Sequence, residues 1–167
     1  FDQLNEGNIF TIAEAGFGFG INFTLTANLW RNSKSTGRLH YIAAEKHPIS
    51  KPDLQRALAP IISDAADWLE QYPPPFCGAH RIQLPNNITL TLVFDDILKL
   101  PEYLHQNVDA WFLDGFSPSR NQDMWASGFY RQMKTTSRPG ATVSTYSIAR
   151  KVRDGLTVAG FTIDRKP

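Results

Sequence analysis

The stretch "IFTIAEAGFGFGINFTLTANLW", residues 9–30, decides the fold. A β-rich apolar run, Ile9 to Ala15, ends at three closely spaced glycines, and Asn22 to Trp30 then reads as a helix. Glycine at a strand–helix junction permits positive φ and lets the backbone lie against a ligand. The spacing narrows the ligand. Gly16, Gly18 and Gly20 form G-x-G-x-G, whereas a dinucleotide site of the G-x-G-x-x-G type wants its third glycine at 21, which is Ile21. Glu14, just before the loop, is unhelpful to a pyrophosphate and well placed to bond an ammonium group or an ordered water. A nicotinamide-dependent oxidoreductase is therefore the least favoured reading.

Outward from this junction, strands and helices alternate. "LHYIAAE" (39–45), "ITLTLVF" (88–94), "VDAWFL" (108–113) and "ATVSTY" (141–146) read as further strands, and "FTIDRK" (161–166) as the start of a sixth. Helical spacing of apolar residues runs from Ser50 to Tyr72. Pro60 should divide that segment in two, and Pro73 to Pro75 end it. Phe129 to Thr136 and Ile148 to Ala159 are the remaining helices. This order predicts an α/β domain, a mainly parallel sheet with helices on both faces. In such sheets ligands bind beyond the carboxyl ends of the strands. Four predicted strands end on acidic residues: Glu14 beside the glycines, Glu45, Asp95-Asp96, and Asp114. Together they suit a ligand rich in hydroxyls and amines.

The length of 167 residues suits one domain with one core, and the first residues already lead into a strand, so a piece of a longer polypeptide is expected. No apolar run approaches the ~20 residues of a membrane helix, and no signal peptide opens the chain, in keeping with a cytoplasmic location. Cys77 is the only cysteine, which excludes an internal disulfide. His40, His47, His80 and His105 lack metal-ligand spacing, so no metal is expected. Charge is uneven: residues 1–114 carry 8 Lys/Arg against 13 Asp/Glu, and residues 115–167 carry 9 against 3. The basic C-terminal third could meet a polyanion or could be an ordinary solvated surface.

The pattern acidic-x-G-x-G-x-G with a second acidic strand ending resembles the Rossmann-like S-adenosylmethionine-dependent methyltransferases. Longer stretches resemble one family among them: "TIAEAGFGFGINF", "LHYIAAEKHPIS", "VDAWFLDGFSPSRNQDMW" and "RPGATVSTYSIARKVRDGLTVAGF" are similar to the methyltransferase half of the MnmC family. The resemblance runs from about Ile9 to the end. It implies transfer of a methyl group to the aminomethyl nitrogen of a tRNA wobble uridine, with tRNA as partner. It also implies an FAD-dependent oxidase, fused or separate, whose domain is absent from this chain.

Site roles follow from the same resemblance. Gly16, Gly18 and Gly20 would accommodate the methionine part of S-adenosylmethionine, Glu45 the ribose hydroxyls, and Asp96 the adenine amino group, with the Ile97 backbone N–H on the ring. Phe17, Asn22, Lys46 and Asp95 complete the expected cofactor-binding set, together with Glu14 and Asp114. Asp114 and Phe116 would carry catalysis, Asp114 by holding an N–H of the acceptor amine and Phe116 by facing the cationic methyl. Asn121, Asp123, Met124 and Trp125 would shape the loop over the site. The chain departs from the family pattern at Phe19, where a threonine is usual, and at Asp95, where a glycine is usual. The family's last strand is expected to be missing after Pro167. Two other readings are an aminopropyltransferase using the decarboxylated cofactor, and a non-catalytic RNA- or cofactor-binding module.

Overall fold

The computed structural model describes residues 1–60, 67–104, 108–114, 125, 127–147 and 149–164. Among the described residues six strands form one sheet: β1 Ile9–Ala15, β2 Arg38–Ala44, β3 Gly78–Leu84, β4 Ile88–Phe94, β5 Val108–Leu113 and β6 Ser137–Ser144. Their order is β3-β4-β2-β1-β5-β6, with only the β3–β4 pair antiparallel. The helices are α1 Ile21–Arg31, α2 Lys51–Leu58, α3 Asp67–Glu70, α4 Ser127–Thr136 and α5 Arg150–Val158, plus a 3-10 helix over Ile97–Tyr103.

Period-two alternation divides the strand side chains between two cores. Ile12, Leu39, Tyr41, Ala43, Leu90 and Leu92 face α1, α2 and α3, where Phe23, Leu54 and Trp68 meet them. Ala13, Ala15, Ile42, Ala44, Trp111 and Leu113 face α4 and α5, where Phe129, Met133, Val152 and Leu156 meet them. Burial on both faces explains why β1, β2 and β4 read as near-continuous apolar runs. The expected mainly parallel sheet with helices on both faces is what the chain forms.

Three elements differ from the sequence reading. Strand β3 escapes the sequence reading because the half-buried, polar His80 interrupts the inward face that it shares with Ile82 and Leu84, while Arg81 and Gln83 are exposed on the other face of this edge strand. It joins β4 through Asn86 and Asn87, at φ 63° and 58°, the left-handed region that asparagine tolerates in hairpin turns. Strand β6 starts at Ser137 rather than 141, because an irregularity in its register against β5 absorbs Pro139 and Gly140. The strand expected from Phe161 does not form over residues 161–164. Phe161 instead ends α5: its N–H donates to Leu156 O (3.0 Å), that of Gly160 donates to Thr157 O (2.9 Å), and Gly160 has φ 94°. This pairing of bonds is a Schellman cap, and it commits the Phe161 backbone. Pro60 does separate two helices, since α2 stops at Leu58 and α3 begins at Asp67.

Register places the site. Ala15 pairs with both Ala44 and Leu113, and Ala44 pairs with Val93, so four parallel strands end at one level. The residues immediately beyond them therefore share one rim. Because β2 leaves β1 on one side and β5 lies on the other, the sheet's topological switch falls between β1 and β5.

Candidate active site at the carboxyl rim of the sheet

The glycine loop bends over the end of β1 and is tied to β2. The N–H groups of Gly16 and Phe17 both donate to Ala44 O, at 3.0 and 3.3 Å. The Gly18 N–H donates to Glu45 Oε2 at 3.0 Å. All three glycines have positive φ, at 90°, 53° and 70°, but they serve different needs. A Cβ on Gly18 would meet nothing within 4 Å, so the backbone there borders open space that a ligand can occupy. A Cβ on Gly20 would lie 2.7 Å from the rings of Phe17 and Trp68, so that glycine is required by packing. The Phe17 side chain is 3% exposed and belongs to the core, and only the backbone at this position faces the rim. Phe19 is 45% exposed and projects outward.

Glu14 lies on the α1 side of the sheet and is 1% exposed. Its Oε1 accepts from Asn22 Nδ2 at 2.8 Å, and the same nitrogen donates to Asp114 Oδ2 at 2.6 Å. Glu14 Oε2 and the neighbouring Tyr41 hydroxyl are buried with no hydrogen-bond partner among the described residues. Burial pushes the Glu14 carboxyl from 4.5 up to about 8. The Asn22 bond and the Tyr41 hydroxyl oppose that rise, while the carboxylates of Asp114 and Glu45 add to it. Burial also raises the Tyr41 hydroxyl well above its ordinary value, with the Glu14 charge contributing.

The Glu14 shift has a consequence for stability. Between pH 4.5 and about 8 the folded chain holds a proton that the unfolded chain releases. The contribution of this group is therefore greatest below pH 4.5 and is lost as pH rises through about 8, with an upper bound of roughly 5 kcal/mol. Glu14→Gln removes the titration. The variant's urea midpoint should match the wild type's at pH 4–5 and exceed it at pH 8–9; parallel curves across that range would refute the assignment.

At the other end of the rim, Glu45 is half-buried; its Oε1 accepts from the His47 N–H at 2.9 Å, beside the Gly18 bond to Oε2. Asp96 Oδ1 accepts from the Leu98 N–H at 3.0 Å, capping the 3-10 helix. Its Oδ2 pairs with Lys46 Nζ at 2.8 Å. The Lys46 bond holds the Asp96 carboxyl below its ordinary value, against the opposing effect of burial, and the Leu98 N–H adds to the lowering. Asp95 Oδ1 accepts from the Asp96 N–H at 2.7 Å, and its Oδ2 receives a contact from Cys77 Sγ at 3.7 Å. A cavity of about 310 Å³ opens here, lined by Lys46, Pro48, Pro75, Cys77, Phe94, Asp95 and Asp96. Ile97 starts the 3-10 helix with its side chain buried in the second core.

The structure thus gathers Glu14, Gly16, Gly18, Asn22 and Asp114 at one end of the rim, and Glu45, Lys46, Asp95 and Asp96 at the other. Phe116, Asn121, Asp123 and Met124 lie outside the described residues. Trp125 is 1% exposed within the second core, which places its ring in packing rather than over the rim. Three groups were not anticipated. Tyr41 could have been found, because its pairing opposite Ile12 puts it on the same sheet face as Glu14. Pro75 and Cys77 reach the cavity from the segment leading into β3 and carried no such signal. Among the described residues, no group of three His, Cys, Asp or Glu could hold a metal ion, and no helix is long and apolar enough to cross a membrane.

Known proteins resemble this chain in sequence and in fold. A family model described as S-adenosyl-L-methionine-dependent methyltransferase matches residues 60–167. The chain is 43% identical over 180 residues to the tRNA 5-methylaminomethyl-2-thiouridine biosynthesis bifunctional protein MnmC of Legionella pneumophila (strain Corby), which covers 97% of this chain and 27% of that protein. It is 42% identical over 172 residues to the protein of the same description from Pseudomonas fluorescens, which covers 100% of this chain and 26% of the relative. The chain thus spans about a quarter of the length of these relatives. Among solved structures, MNMC2 from Aquifex Aeolicus superposes with a TM-score of 0.68 at 24% identity, covering 92% of this chain and 48% of that one. An antibiotic-related methyltransferase superposes at 0.52 and 15% identity, covering 93% and 70%. These two likenesses support the Rossmann-like fold. The family model spans well over half of the sequence, and the chain belongs to the S-adenosyl-L-methionine-dependent methyltransferase family.

Proposed function

We propose that this chain methylates the aminomethyl nitrogen of a wobble uridine in tRNA. The observation that carries the reading is the level rim of strand ends, where an open glycine backbone and a buried carboxyl stand beside Asp114. The MnmC relatives, named for tRNA 5-methylaminomethyl-2-thiouridine biosynthesis, supply the substrate class.

S-adenosylmethionine, when bound, supplies an electrophilic methyl on a positively charged sulfur. The residues here suit it: Gly18 leaves room for a ligand against the backbone, and the buried Glu14 carboxyl, neutral while the site is empty, could give up its proton to pair through Oε2 with the cofactor's ammonium group. Glu45 has lone pairs remaining for ribose hydroxyls after its two backbone bonds. Transfer would join the methyl to the amine nitrogen as its C–S bond breaks, leaving S-adenosylhomocysteine and a protonated secondary amine. An alkylammonium has a pKa of ~10.4, so the amine must first lose a proton to expose its lone pair. Asp114 would accept an N–H and turn that lone pair toward the methyl. Positioning of this kind lowers barriers by several kcal/mol, up to ~10. An FAD-dependent oxidase, fused or separate, provides the aminomethyl acceptor. Exposed Arg131 and Lys134 on α4, with Arg150 and Lys151 on α5, belong to the basic third that meets tRNA phosphates in the cytoplasm.

Adenine reading falls to Asp95 in this chain. Asp96 is held by its cap bond to Leu98 and its ion pair with Lys46, whereas among the described residues Asp95 Oδ2 has only the long thiol contact and lines the cavity. Asp95→Asn should weaken cofactor binding about tenfold in calorimetry, a typical loss for one charged hydrogen bond, with Asp96→Asn weakening it less. The reverse order would return the role to Asp96. The function itself is tested with labelled cofactor and tRNA lacking the final methyl: incorporation supports it. Preference for the decarboxylated cofactor would point to aminopropyl transfer, and tRNA binding without cofactor affinity to a non-catalytic module.

A further inference from the structure

We infer that Asn22 is a positioning residue that aims Asp114, by donating both hydrogens of its side-chain amide to two carboxyl groups on different strands. This inference rests on the methyl-transfer reading above. An asparagine amide nitrogen has two hydrogens and no more. Here one meets Glu14 Oε1 at 2.8 Å and the other Asp114 Oδ2 at 2.6 Å. Asn22 is the second residue of α1, Glu14 lies within β1, and Asp114 follows β5. One side chain therefore ties three elements together across the topological switch of the sheet.

The orientation of the amide is settled by its partners. A flipped amide would set its own oxygen against the Asp114 carboxylate and forfeit the donor it offers there, whichever protonation state Glu14 holds. Residue type matters too. Aspartate at position 22 would add a third carboxyl and lose the donors. The anchor of the bridge is rigid, because Glu14 is 1% exposed and fixed in the central strand. Its target is not, because Asp114 is exposed where β5 gives way to loop. An exposed aspartate left alone samples several rotamers, and ordering it has an entropic cost. With Oδ2 held by Asn22, the other oxygen of Asp114 is presented in one direction, toward the acceptor amine. Asn22 was expected among the cofactor-binding residues, and its bonds give it this different task.

The test is a double-mutant cycle in the full-length protein, with wild type, Asn22→Ala, Asp114→Ala and the double variant. Three quantities are read: the single-turnover rate of methyl transfer to tRNA bearing an aminomethyl uridine, the cofactor Kd by calorimetry, and the urea unfolding midpoint. Asn22→Ala should slow transfer about 10- to 30-fold with Kd changed less than about threefold, and should add almost nothing once Asp114 is alanine. Asn22→Asp should be no faster than Asn22→Ala. An undiminished effect of Asn22→Ala in the Asp114→Ala background would overturn the inference, as would a raised Kd with an unchanged rate. If the wild type transfers no methyl, the functional reading fails while the bridge is still read from the midpoints. Non-additive midpoints would then support it, and additive ones would overturn it.

Discussion

Asp114→Ala should lower the rate of methyl transfer by about 10²–10³-fold while leaving the fold and cofactor binding close to wild type. Asp114 is exposed, lies just beyond the last buried residue of β5, and contributes no apolar packing. Its removal frees one hydrogen of the Asn22 amide, which water can reach, so the structural cost is small. What is lost is the acceptor that orients the amine, an interaction of value chiefly when the nitrogen approaches the methyl carbon. Losing it should reduce kcat and kcat/KM together. Asp114→Asn makes a sharper comparison. It keeps the shape, but sets an amide against the Asn22 donors and halves the acceptor capacity, so partial activity at best is expected. A large rise in tRNA KM with kcat unchanged would show that Asp114 binds substrate without aiming it.

The largest effect on stability should come from the glycine loop. Gly20→Ala puts a methyl group 2.7 Å from ring atoms of both Phe17 and Trp68. Neither ring has space to yield, since Phe17 and Trp68 stack edge-to-face at 5.3 Å and Trp68 is fully buried. The Trp68 indole also donates to Thr24 Oγ1 at 3.1 Å, and that hydroxyl donates to Gly20 O at 2.8 Å. Moving the ring therefore disturbs the first turn of α1. A φ of 70° adds roughly 1–2 kcal/mol for any residue with a Cβ. Overpacking adds about 1–3 kcal/mol more. A combined loss of about 2–5 kcal/mol is a large part of the stability of a domain this size and should lower Tm by roughly 5–15 °C. Gly18→Ala is the control. It shares the positive φ but meets nothing within 4 Å, so it should cost about 1–2 kcal/mol of stability and act mainly by weakening cofactor binding. Equal losses of stability for the two variants would contradict the packing account.

These contrasts show which parts of the molecule are legible in the sequence. Strands β1, β2, β4 and β5 are visible because parallel strands buried on both faces must be apolar throughout. The acidic residues beyond β2, β4 and β5 are visible for the complementary reason, that each sits where burial ends, whereas Glu14 is itself buried within β1. Strand β3 is concealed because Arg81 and Gln83 hold its exposed face while the polar His80 shares the other with Ile82 and Leu84. The glycines announce a turn, but G-x-G-x-G does not say that Gly20 answers to Trp68, 48 positions along the chain, while Gly18 answers to open space. Side-chain partnerships are the least legible of all. Asn22 and Asp114 are 92 residues apart, and Lys46 and Asp96 are 50 apart. Two adjacent aspartates, 95 and 96, are equivalent as letters, and only the three-dimensional pairing with Lys46 separates them.

The fate of a labelled methyl group tests the assignment of this site most directly. The full-length protein, S-adenosylmethionine labelled on that methyl, and tRNA carrying an aminomethyl wobble uridine should be mixed for a single turnover. The digested nucleosides are then separated by mass. The predicted result is one labelled methyl on the aminomethyl nitrogen of that uridine, abolished or nearly so by Asp114→Ala. Cofactor bound at the rim with the label remaining on it, or transferred elsewhere on the tRNA, would contradict the assignment of this site.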